Sequence, residues 1–137
     1  MSLYLDASVL VALSIEEASS AQAHARVIGE TLLISDFAAA EFSAAIARRV
    51  RMGDMPATQA SATFQAFDGW AARATSRVRQ DASDIQNAEI LVRRLDLGLR
   101  APDALHIAIA RRLGATLFTF DLTMANAARE LNLSILP

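Results

Sequence analysis

Leu3-Tyr4-Leu5-Asp6-Ala7-Ser8-Val9-Leu10-Val11-Ala12-Leu13 decides the fold class: a short β-prone apolar run stops at an acid, and an apolar helical run that Ser8 can cap follows at once. The same strand-then-helix reading recurs along the chain. Residues 19–29 predict a helix closed by Gly29, and Leu32-Leu33-Ile34 a second strand. Ser35 or Asp36 starts a long Ala-rich helix that runs to about residue 52 and is stopped by Gly53. Pro56 suits the start of a helix over 57–75, where Phe64, Phe67 and Trp70 recur at i, i+3 and i+6 and mark a buried face.

Arg77-Val78-Arg79 is a strand candidate, residues 83–96 predict a helix closed by Gly98, and Pro102 begins another that ends at Gly114. Ala115-Thr116-Leu117-Phe118-Thr119-Phe120 is the clearest strand. Asp121, a helix over 123–131 and a last strand at Ser134-Ile135-Leu136 complete the pattern. Strands separated by helices imply right-handed crossovers and a parallel sheet covered on both faces, so the expected architecture is a three-layer α/β/α sandwich with a short central parallel sheet. With 137 residues and no repeat or low-complexity linker, residues 1–137 read as one domain.

Composition removes several chemistries. At 53% hydrophobic and 20% charged residues the chain is too apolar for a disordered one. The absence of cysteine excludes disulfides, thiolate nucleophiles, Cys-ligated zinc and iron–sulfur clusters. All 13 basic residues are Arg, so Lys-dependent chemistry is excluded too: P-loops, Schiff bases, and phosphoryl-aspartate proteins that need a lysine. Apolar runs are too short for a membrane span and Met1-Ser2-Leu3-Tyr4 lacks a basic signal-peptide start, which places the expected location in the cytosol. A net charge of -2 leaves any polyanion binding to local Arg patches or metal ions.

The acids fall where an open parallel sheet binds ligands, beyond the carboxyl ends of its strands. Asp6 follows the first strand and Asp121 the strand at 115–120, so the two converge if those strands are neighbours; each alone also reads as a turn or cap. Glu41 has Phe37, Ala38, Ala44 and Ala45 as helical neighbours, which puts a carboxylate on an apolar face expected to pack against the sheet, answered by an Arg or a metal. Asp103 lies in the first turn of the Pro102 helix, favoured there by the helix dipole and held at the mouth of the core. His106, one turn along, reads as an internal hydrogen-bonding group, with support of the site or contact with substrate as the alternative. Four carboxylates without Cys suit Mg²⁺ or Mn²⁺, and such ions serve phosphodiester hydrolysis.

Leu5-Asp6-Ala7-Ser8-Val9-Leu10, Glu41, Pro102-Asp103-Ala104-Leu105-His106-Ile107-Ala108 and Phe118-Thr119-Phe120-Asp121, in that order across the whole chain, resemble the PIN-domain ribonucleases, and in particular the VapC-type toxins of bacterial toxin–antitoxin pairs. The resemblance implies an endoribonuclease dependent on Mg²⁺ or Mn²⁺, with Asp6 and Asp103 as central ligands and Glu41 and Asp121 completing the cluster. It also implies that Ser8 and Thr119 orient these acids or their waters, and that Asn126 fills a polar site position. Ala7 departs from members with a hydroxyl residue there. The family further implies a homodimer and a small cognate antitoxin whose C-terminal segment lies in a groove and can set an Arg against the acids. RNA would be steered by Arg residues, with Arg48, Arg49, Arg51, Arg73, Arg77, Arg79, Arg93, Arg94, Arg111 and Arg112 as candidates. A housekeeping PIN nuclease in RNA maturation and a non-catalytic RNA- or protein-binding PIN domain are the alternatives.

Overall fold

The computed structural model describes residues 1–136. Five strands form one parallel sheet: β1 (Ser2–Leu5), β2 (Thr31–Ser35), β3 (Thr75–Val78), β4 (Thr116–Phe118) and β5 (Ile135–Leu136), in the spatial order β3-β2-β1-β4-β5. Helices α1 (Ala7–Ser14), α2 (Ser20–Val27), α3 (Asp36–Arg51), α4 (Ala57–Ala74), α5 (Ala82–Val92), α6 (Ala101–Leu113) and α7 (Leu122–Glu130) make the outer layers. No helix among the described residues is long and apolar enough to cross a membrane.

β1 shows why the chain needs two covering layers. Its side chains alternate between two hydrophobic cores: Leu3 and Leu5 join α1, α3 and α4, whereas Tyr4 joins α5, α6 and α7. All three are fully buried. In the first core Phe42 stacks on Phe67 with ring centroids 4.2 Å apart, and Phe64 and Trp70 pack at its margin, so the aromatic stripe expected of α4 is a core face.

The chain runs from β1 outward through β2 to β3, then returns to lay β4 on the other side of β1. That reversal puts the carboxyl ends of β1 and β4 side by side, paired as Leu5 with Phe118, and the Asp6 N–H donates to the Phe118 carbonyl at 3.3 Å. The convergence of Asp6 and Asp121 expected from the sequence therefore holds.

Several boundaries differ from the sequence reading, and β3 begins at Thr75 and ends at Val78 instead of spanning 77–79. The helix expected over 83–96 ends at Val92, and after Arg93 and Arg94 a 3-10 turn at Leu95–Leu97 brings Leu97 and then Leu99 into the core. Gly98 closes that turn at φ 63°. β4 ends at Phe118; Thr119 beyond it still donates its N–H to the Leu136 carbonyl at 3.4 Å and turns its hydroxyl toward Asp6.

Candidate active site

The site begins with Asp6. Its carboxylate, and not Ser8, caps α1: Oδ1 accepts the Val9 N–H at 3.1 Å. Ser8 lies in the first turn and donates its hydroxyl to the same oxygen at 2.6 Å, while the Thr119 hydroxyl donates to Oδ2 at 2.6 Å. Asp6 is 3% exposed, and burial pushes its carboxyl above the ordinary value of 3.8 despite these hydrogen bonds and the nearby His106.

Thr119 and Ser8 knit β4 to β1 at this edge. Thr119 Oγ1 accepts the Asp121 N–H at 3.0 Å and Ser8 Oγ accepts the Phe120 N–H at 3.0 Å. Asp121 caps α7 by accepting the Met124 N–H at 2.9 Å, which leaves its other oxygen free of the cap. Asp103, 3% exposed, stands in the first turn of α6, where its Oδ2 accepts the Arg100 N–H at 3.2 Å. The Arg100 guanidinium lies over the same carboxylate, Nε at 3.3 Å from Oδ2 and Nη2 at 3.5 Å from Oδ1.

Within the chain Glu41 is answered not by an Arg but by His106, whose Nε2 bonds Oε1. The core face of α3 is Ala38, Phe42 and Ile46; Glu41 lies one residue, about 100°, to its side, and its side chain is 32% exposed. The His106 ring is buried and held from behind, its Nδ1 2.8 Å from the Tyr4 hydroxyl, which is 2.8 Å from Ser35 Oγ. Ser35 Oγ also accepts the Ala38 N–H at 2.9 Å and so caps α3. With a neutral imidazole the protons run one way: Ser35 donates to Tyr4, Tyr4 to His106 Nδ1, and Nε2–H to the Glu41 carboxylate. Burial keeps Tyr4 in its phenol form by raising its pKa.

These residues line one cavity of about 140 Å³ with Asp6, Ser8, Glu41, Arg100, Asp103, His106, Asp121 and Met124 on its walls. Asn126 is not among them: it is exposed, accepts from Arg129 at 3.0 Å, and lines a different cavity with Asp96 and Glu130. Arg100, Tyr4 and Ser35 have no individual signal in the sequence beyond the position of Arg100 just ahead of a Pro-initiated helix.

The donors themselves test the fit to a divalent cation. Asp6 is a buried carboxylate whose oxygens meet only neutral O–H and N–H groups, and hard oxygens around such a charge suit Mg²⁺ or Mn²⁺. The side chains are not drawn together as ligands: among the described residues no three Asp, Glu or His groups close on one point, with Asp103 turned to Arg100 and Glu41 to His106. The set fits in the chemistry of its donors and in its place on one cavity.

Residues 3–130 match the PIN domain family model. No curated protein matches the sequence. Among solved structures, FitAcB from Neisseria gonorrhoeae is similar with a TM-score of 0.76 at 14% identity, over 98% of this chain and 96% of its own. VapC20 of Mycobacterium tuberculosis, a Sarcin-Ricin loop cleaving toxin, gives 0.71 at 21% identity over 91% and 94%. VapBC2 from Rickettsia felis, bound to a DNA fragment from its promoter, gives 0.70 at 16% identity over 99% and 98%. These likenesses show a shared fold, and the family match runs from β1 to the end of α7: the chain belongs to the PIN domain family.

Proposed function

We propose that this PIN domain is the toxin of a toxin–antitoxin pair, an endoribonuclease that hydrolyses RNA phosphodiester bonds with Mg²⁺ or Mn²⁺. The observation that carries this reading is Asp6, a buried carboxylate met only by neutral donors, with Glu41, Asp103 and Asp121 on the same cavity. Asp6 and Asp103 would hold the cation, with Glu41 and Asp121 completing its shell directly or through water. When bound, a divalent cation supplies positive charge to the phosphodiester and makes water a better nucleophile.

The chain's own residues do the positioning. Ser8, Thr119 and the Val9 N–H fix both oxygens of Asp6, so that carboxylate is aimed before any substrate arrives. Hydrolysis adds a water oxygen to phosphorus in line with the departing oxygen, and the attacking water must lose a proton. Glu41 and Asp121, both half-buried and open to the cavity, are the carboxylates that can take it.

A cognate antitoxin is supported by the VapBC complexes among the structural neighbours, and an acidic cavity favours a partner that presents a guanidinium. A homodimer and a cytosolic location complete the reading. The test is cleavage of mixed cellular RNA by the purified chain with Mn²⁺ or Mg²⁺, against EDTA and Asp6→Asn controls. Discrete products that require both the cation and Asp6 are expected. No cleavage from the folded, partner-free, cation-loaded chain overturns the reading in favour of a binding domain.

A further inference from the structure

Arg100 contributes the guanidinium on the wall of the acidic cavity, and its surroundings differ from those of the other arginines. Arg112 is locked by a fork on Asp84, at 2.8 and 2.9 Å, and by the Arg79 carbonyl at 2.7 Å. Arg49, Arg77, Arg93 and Arg94 each pair with an acid outside the cavity. Distance separates others: Arg48 and Arg51 lie two to three turns beyond Glu41 on α3, about 10–15 Å along the axis, and Arg111 about 12 Å beyond Asp103 on α6.

Arg100 is anchored at one end and loose at the other. Its backbone is fixed at the start of α6 by the N–H to Asp103, whereas its side chain is 76% exposed and touches a carboxylate that is only 5% exposed. The side-chain contacts, 3.3 and 3.5 Å, are long for a charge-assisted pair, and such exposed pairs are screened by salt and contribute little to stability. The guanidinium shares one cavity wall with Asp103, Asp121 and Glu41, so it faces three carboxylates at once. It occupies the place of a counter-ion and is held loosely enough to leave.

We propose that Arg100 is a tethered counter-charge with two stations: it neutralises Asp103 in the free chain, and it binds the RNA phosphate once a divalent cation has taken over that carboxylate. The proposal rests on the nuclease reading above and deepens it by naming the group that receives the phosphate. A cavity walled by four carboxyl side chains repels a phosphodiester unless cationic charge meets it at the mouth. A guanidinium matches two phosphate oxygens with parallel N–H donors, and Arg100 is already tethered there. The absence of Lys from the chain leaves the task to an arginine.

The two stations predict changes of opposite sign in one variant. In Arg100→Gln, Mn²⁺ binding to the RNA-free chain, followed by the loss of the free-ion electron paramagnetic resonance signal, should tighten about 3- to 10-fold because a competing cation is gone. At saturating Mn²⁺ the same variant should lose about 10- to 100-fold in kcat/KM, chiefly through KM, as a charged hydrogen-bonding pair to substrate is removed. Arg100→Lys should restore part of the cleavage with a point charge. A change that merely loosened the start of α6 would weaken both properties and lower the melting temperature, without rescue by Lys. Unchanged or weaker Mn²⁺ binding in Arg100→Gln overturns the proposal, as does unchanged cleavage, and in either case the nuclease reading stands. A wild-type chain that neither binds Mn²⁺ nor cleaves RNA overturns both.

Discussion

Asp6 and Asp84 are both aspartates withdrawn from water, 3% and 0% exposed, and each caps or braces the start of a helix. Their surroundings have opposite effects. At Asp84 burial raises the pKa, but the Arg112 fork and the Asp81 N–H at 2.7 Å more than offset it, so the carboxyl lies below its ordinary 3.8. At Asp6 burial wins over the Ser8 and Thr119 hydroxyls and the carboxyl lies above 3.8. One buried charge is balanced by a cation of the chain and ties α5 to α6. The other is surrounded by neutral donors that orient it without balancing it, which suits the cation-holding role proposed for it.

The sharpest way to break this distinction is to remove each charge in turn. Asp6→Asn should lower RNA cleavage by more than about 10³-fold, in line with loss of a group that holds a catalytic cation. Its fold should be kept, because the Thr119 hydroxyl can turn to accept the new N–H, and its melting temperature at neutral pH should equal or exceed the wild type's. Asp84→Asn should do the reverse. Breaking the buried pair leaves Arg112 with only the Arg79 carbonyl and Asp81, and because that side chain is 31% exposed and regains some water, the loss is about 2–3 kcal/mol of unfolding free energy, read by urea denaturation. Cleavage per folded molecule should not change. An Asp84→Asn chain that stays stable and loses activity would erase the contrast.

Glu41 supplies the middle case, a carboxylate met by a side chain that is charged only when protonated. Tyr4→Phe deletes the hydroxyl between Ser35 and His106 and leaves the buried Nδ1 without its donor. The expected loss is about 1–2 kcal/mol of stability, with a reduction in cleavage far smaller than that of Asp6→Asn, since His106 still reaches Glu41. A Tyr4→Phe chain as inactive as Asp6→Asn would show that the Ser35–Tyr4–His106 chain belongs to the chemistry and not to its support.

What the sequence conveyed follows from which physics is local. Asp6 and Asp121 were legible because strand ends mark the edge of a parallel sheet, and Asp103 because Pro102 fixes a helix start. The fold class followed from strand and helix periods alone. Glu41 was placed on the wrong part of α3 because its i±3 and i±4 neighbours are small or apolar, while the face that packs is Ala38, Phe42 and Ile46. Its partner His106 is 65 positions away, and only the fold brings them together. Asn126 failed for a rotational reason: five residues beyond Asp121 it has turned about 140° around α7, whereas Met124, three residues on, faces the cavity. Arg100 carried no pattern, since an Arg before a helix is ordinary until the acid it covers is known to be buried.

The smallest effect separates the two aspartates by pH in the cation-free chain. Asp84, with its folded pKa below 3.8, contributes stability that is complete above 3.8 and is lost as pH falls through the folded value. Asp6, with its folded pKa above 3.8, contributes stability that is complete below 3.8 and is lost as pH rises through its folded value, because there the folded chain binds the proton that the unfolded chain has released. Unfolding free energies of wild type, Asp6→Asn and Asp84→Asn, measured with EDTA from pH 3 to 7, should therefore diverge on opposite sides of 3.8. Asp84→Asn should flatten the acid limb below it, and Asp6→Asn should remove a downward slope above it. Saturating Mg²⁺ should abolish that slope in the wild type by balancing the Asp6 charge and should leave the Asp84 limb untouched. A slope that survives in Asp6→Asn would mean that another buried carboxyl in the cavity carries the unbalanced charge.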